Sequence, residues 1–163
     1  MTNGYVQFCE ALAVDNDQEY FWLKAAMEVA AFRCGGTLED LEGIVSEYQL
    51  RETGRPLKDY INKDEVAALF KIFEEPYLGF EIEGDRGERT VHLSGSDAHQ
   101  AAGLVQLFLK RFKPNLYWKL ECGFYVEDFG GLAVFVTADQ IQTYDTNQWL
   151  TEKAEEFRKA STV

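Results

Sequence analysis

Two histidines, three cysteines and several clusters of carboxylates are the side chains in this 163-residue sequence whose types could carry chemistry. His92 and His99 stand seven residues apart, one on an expected strand and the other near the start of an expected helix. Either would act as a general base only with a nucleophile or an acid held beside it. Cys9, Cys34 and Cys122 are odd in number and scattered, with no CxxC pair and no histidine at metal-ligand spacing, so reduced, mostly buried thiols are expected. A nucleophilic thiol needs a helix N-terminus or a cation to lower its pKa. Cys34 falls instead at a helix C-terminus, Cys122 lies on the apolar side of a strand, and Cys9 sits in a stretch with no clear period.

The sequence has no GxSxG elbow, P-loop or HExxH pair, and Gly84-Asp85-Arg86-Gly87 is accounted for by a hairpin loop. No catalytic, cofactor or metal site is therefore expected. The carboxylates Glu39-Asp40-Glu42, Glu74-Glu75 and Glu81-Glu83-Asp85 lack the EF-hand pattern. Two readings of them stay open: a solvated acidic face that aids solubility, and a surface that meets a basic protein.

The charge balance bears on that choice. The net charge is −12, which opposes direct binding to nucleic acid or to an anionic membrane, and favours a basic partner. Residues 1–88 hold 19 acidic and 8 basic side chains, whereas residues 89–163 hold 9 and 8, so the acidity belongs to the first half. No apolar run approaches the ~20 residues of a membrane span, and Met1 to Glu10 lacks the basic start and apolar core of a signal peptide, which gives a cytoplasmic expectation.

The elements that must position these groups follow from periodicity. Tyr20, Phe21, Leu23, Ala26, Met27, Ala30 and Ala31 recur at helical spacing from Asp17 to Phe32, and Gly35-Gly36 stops them. A weaker helix runs from Leu38 to Tyr48 with Thr37 as its cap. Asn62 with Glu65 forms a capping box for a helix from Lys63 to Phe73.

The period then changes to two. Leu78, Phe80 and Ile82 pair as a hairpin with Val91 and Leu93. Ser96 or Asp97 caps a helix to Phe112, with Ala101, Leu104, Val105 and Phe108 inward and Gln100, Gln106, Lys110 and Arg111 toward water. Leu116 to Val126 alternates cleanly, Leu132 to Val136 is apolar on both sides, and Asp145 or Thr146 caps a last helix bearing Trp149, Leu150, Ala154 and Phe157. The expected fold is α+β in one domain, residues 1–163: an acidic helical part to about residue 76, then ββ-α-ββ-α from about residue 77. Its hairpins suggest an antiparallel sheet with helices on one face.

Phe108-Leu109-Lys110-Arg111-Phe112, Trp118, the run Phe129-Gly130-Gly131-Leu132-Ala133-Val134-Phe135-Val136-Thr137-Ala138-Asp139 and Trp149-Leu150 resemble small uncharacterised acidic proteins of phages, plasmids and bacterial genomes. The resemblance covers roughly residues 78–151 and implies a mobile-element setting without implying any catalysis. Together with the charge, it points to an anti-defence binding protein. The expected partner is a basic, nucleic-acid-binding host protein such as a restriction or CRISPR effector, met through Glu39, Asp40, Glu42, Glu74, Glu75, Glu81, Glu83 and Asp85. The alternative is an accessory domain that forms a homodimer through Tyr117, Lys119 and Tyr125, with Tyr144 on the same side, unless the N-terminal helices cover that face.

Overall fold

The computed structural model describes residues 6–35, 41–124 and 131–161. In chain order the elements are β1 (Val6–Ala13), α1 (Asp17–Gly35), α2 (Leu41–Glu47), a 3-10 turn (Leu57–Asp59), α3 (Lys63–Ile72), β2 (Phe80–Glu83), β3 (Thr90–Gly95), α4 (Ala98–Phe112), β4 (Tyr117–Phe124), β5 (Gly131–Thr137), β6 (Ile141–Asp145) and α5 (Thr146–Ser161). The class is α+β. The order differs from expectation: a strand precedes the helices and β6 follows β5, so the later part runs ββ-α-βββ-α. β1 hides in the sequence because Glu10 interrupts its inward row and the outward row, Cys9, Ala11 and Ala13, is itself small and apolar. β6 hides because its residues are largely exposed, so it is defined by pairing with β5 and not by burial.

The strand order is β2-β3-β1-β4-β5-β6, with every neighbouring pair antiparallel. β1 is a seam. Phe8 to Ala13 pair with β3, but only Val6 and Gln7 pair with β4, so two three-stranded halves meet at the start of β1. Where β1 leaves β4, side chains take over the backbone groups that a continuous ladder would satisfy. The Trp118 indole donates to Ala11 O at 2.9 Å, Lys113 Nζ donates to Ala13 O at 2.9 Å, and Glu121 N donates to the Glu10 carboxylate at 3.3 Å.

Alternation gives the sheet one buried face, including Phe8, Leu12, Phe80, Val91, Leu93, Trp118, Leu120, Val134 and Val136. α4 lies against the strands, and α1 and α3 pack on α4. Asp97 caps α4 by accepting from Gln100 N, and Gly103 lets α3 come close: a Cβ there would meet Ile72 at 3.0 Å. Trp22 of α1 packs on Phe108 and Phe112 of α4, with ring centroids 5.9 and 6.0 Å away. The sheet residues named above, with Trp22 and Phe108, are among the buried residues of one connected core, and Ile72 and Phe112 pack against it.

The buried polar groups act as joints. Asn62 and Glu65 form the expected capping box at α3. The same Glu65 carboxylate also accepts from the Trp22 indole at 3.0 Å and pairs with Arg111, tying α1, α3 and α4 together. Gln100, expected to face water, is buried. It accepts from Gly79 N at 2.7 Å and donates to Tyr77 O at 3.2 Å, fixing the approach to β2. Gly87, at φ 91°, turns the β2–β3 loop so that Arg86 reaches α1, pairing with Asp17 at 2.7 Å and lying 5.2 Å over the Phe21 ring.

Candidate functional site

Of the anticipated acidic residues, Glu81 and Glu83 stand on an edge of the sheet. Glu81 and Glu83 project from the exposed side of β2, which is the outermost strand, at a two-residue repeat of about 6.8 Å. Glu74 and Glu75 are exposed just before this strand, and Asp85 and Glu88 are exposed in the loop after it. Within residues 74–88 the one base, Arg86, is engaged by Asp17, whose carboxyl it holds below the usual carboxylate range. Glu39 and Asp40 lie outside the described residues, and Glu42 lies on α2. Glu88 was not among the residues singled out from sequence, although its place in the loop was readable.

The second anticipated surface is exposed. Tyr117, Lys119 and Tyr144 stand on the face of the sheet opposite α4, and the N-terminal helices do not cover them. Tyr125 lies outside the described residues. Phe135 joins this face: Leu132 to Val136 reads as apolar on both sides, and Phe135 is exposed, opposite Lys119 in the register, and stacked on Tyr117 at 5.1 Å. The exposure of Lys119 was a signal for its cross-strand neighbour, because directly opposed residues share a face. A hollow of about 420 Å³ lined by Glu121, Ala133, Tyr144 and Thr146, among others, carries this face to the start of α5.

α5 departs furthest from expectation. Asp145 caps it by accepting from Gln148 N at 3.1 Å, as its sequence suggests, but Gln148 through Ala160 are all exposed. Trp149, Leu150 and Phe157 are exposed with the rest of this stretch and are not among the buried core residues.

The chemistry-bearing residues are separated. His92 is exposed on the bare face, between Glu83 and Ala11 in the register. His99 is exposed on α4, beside a groove it shares with Lys71, Ile72 and Glu75. The two histidines thus sit on opposite sides of the sheet. Cys9, in the stretch whose sequence shows no clear period, is exposed on β1 and opposite Ser94 in the register; among the described residues no hydrogen bond joins it to His92. Burial pushes the Cys34 and Cys122 thiols up, which keeps them protonated and weakly nucleophilic. Among the described residues no cluster of histidine, cysteine and carboxylate could hold a metal ion, and no helix is long and apolar enough to cross a membrane.

The chain matches no family model, no curated protein and no solved structure. Its surfaces carry the functional reading.

Proposed function

We propose that this is an anti-defence binding protein, of the kind carried by phages and mobile elements, that inhibits a host nucleic-acid-handling protein such as a restriction or CRISPR effector. The observation that supports this reading is the β2 edge. Glu81 and Glu83 are exposed on it, Asp85 and Glu88 are exposed in the loop that follows and Glu74 and Glu75 in the segment that precedes it, while Arg86 is occupied within the molecule. Two carboxylates at the strand repeat, flanked by further acids on either side in the chain, offer a basic groove the negative charge that it otherwise takes from a phosphate backbone. Such a placement of charge steers encounter and fixes orientation without requiring catalytic chemistry.

The test is affinity capture from host lysate at low and moderate salt, followed by kinetics on the retained protein. A basic partner released by salt and displaced by DNA is expected. The variant Glu74→Lys, Glu75→Lys, Glu81→Lys, Glu83→Lys should lose about tenfold or more in on-rate at low salt, and most of its salt dependence. Binding by this variant as fast as by the parent would overturn the proposal.

A further inference from the structure

We infer that a second copy of this chain covers the aromatic end of the bare sheet face and α5, making the molecule a two-fold dimer. This goes beyond the acidic-edge reading and uses the opposite end of the sheet. Six exposed side chains cluster in this part of the chain: Tyr117, Phe135 and Tyr144 on the sheet, and Trp149, Leu150 and Phe157 on α5, with exposures of 62, 41, 50, 42, 52 and 74%. At roughly 200 Å² per aromatic side chain, their exposed parts come to about 600 Å², most of the ~800 Å² per partner of a standard interface. Exposed apolar surface on this scale, where it is continuous, commonly marks a protein–protein contact.

Charge selects a second copy as the occupant. The molecule as a whole carries −12, so two copies repel unless they meet where the charge is balanced. Residues 89–163 hold 9 acidic and 8 basic side chains, and α5 holds three of each. Along α5 the acids Glu152, Glu155 and Glu156 precede the bases Arg158 and Lys159, with Lys153 lying over Trp149. A two-fold axis perpendicular to α5 would set two such helices antiparallel, with the basic end of each beside the acidic stretch of the other. The two margins of the sheet differ in the same sense. β2 carries outward Glu81 and Glu83, which deter another chain, while the opposite edge strand, β6, has a single charge, Asp145.

Sedimentation velocity of the full chain over a concentration series tests this, at low and high salt. A dimer is expected whose affinity changes little with salt, because screening relieves the repulsion between copies and weakens the α5 pairing together; binding of a basic partner at the β2 edge should weaken steeply instead. Leu150→Glu with Phe157→Glu, and separately Tyr117→Glu, should give monomers with an unchanged circular dichroism spectrum, since all three positions are exposed. An unmodified chain gives a second readout. Trp22 and Trp118 are buried, so only Trp149 emission should shift to the red on dilution. A parent that stays monomeric at every concentration, or a dimer that survives either set of substitutions, would overturn the inference. Loss of partner capture with the dimer intact would refute only the acidic-edge reading.

Discussion

Replacing Glu65 tests whether the three-helix layer depends on one buried carboxylate. Glu65 accepts from the Trp22 indole at 3.0 Å, from Asn62 N at 3.0 Å and from Arg111, and its side chain is 11% exposed. Glu65→Ala removes the second half of the capping box and leaves the Trp22 N–H and the Arg111 guanidinium without their acceptor. Breaking a buried pair from one side costs about 3–5 kcal/mol; because Arg111 is more exposed than Glu65, the low end, about 3 kcal/mol, is expected. That is a large share of the ~5–15 kcal/mol by which domains are stable. With a urea slope of about 2 kcal/mol per molar, the unfolding midpoint should fall by roughly 1.5 M. Glu65→Gln keeps an oxygen for Trp22 but loses the charge facing Arg111, and should cost about 1–2 kcal/mol. A double-mutant cycle of Glu65→Gln with Arg111→Met should show a coupling of about 1 kcal/mol or more. A loss below about 1 kcal/mol for Glu65→Ala, or strict additivity in the cycle, would refute the reasoning.

Gly95→Ala should destabilise by about 1–3 kcal/mol, since its Cβ would lie 2.4 Å from Gly79 O and 2.5 Å from the Phe80 Cα. Gly43→Ala, in α2 with nothing within 4 Å, should instead stabilise by about 0.5–1 kcal/mol, and urea midpoints compare the two directly. Burial, with the Glu52 carboxylate beside it, pushes the Tyr20 hydroxyl from 10.0 up to about 12. The unfolded chain then releases this proton first, so the stabilisation is complete below pH 10 and is lost between pH 10 and 12. Tyr20→Phe should remove about 1–2 kcal/mol of the stability loss over that window; identical pH profiles of the urea midpoint for parent and variant would contradict it.

The parts of the fold written in local signals were legible in the sequence. Asn62 with Glu65 at α3, Asp97 at α4, the inward stripe of α4 and the alternation of β4 from Tyr117 to Cys122 each depend on near neighbours in the chain, and each stands where its pattern puts it, whereas Leu116, at the head of that alternation, precedes the strand and is exposed. What escaped depends on distant partners. β1 is a strand because β3 lies beside it, and β6 because β5 does. Gln100 is buried because Gly79 and Tyr77, more than 20 residues earlier, supply its hydrogen bonds. Phe135 and the large apolar residues of α5 look like core material by hydrophobicity, and only the tertiary arrangement shows that they are exposed. Of the candidate surfaces, the residues from Glu74 to Asp85 and the pair Tyr117 and Lys119 were nameable from type and spacing. The place of Glu81 and Glu83 on a sheet margin was not, because it depends on β2 being the outermost strand.

The seam at β1 also sets a schedule for synthesis. β1 ends at Ala13, yet the strand that pairs along most of its length begins at Thr90, and its partners in β4 are Gly123 and Phe124. At about 5–20 residues per second, the ribosome adds the intervening 76 residues in roughly 4–15 s, while Phe8 and Leu12 have no sheet to enter. α1 and α3 can form meanwhile from local contacts, but their common support, α4, also arrives late. Insertion of the first strand between the two halves is thus a closing step of folding, and until then the nascent chain presents an open strand edge to chaperones and to other chains.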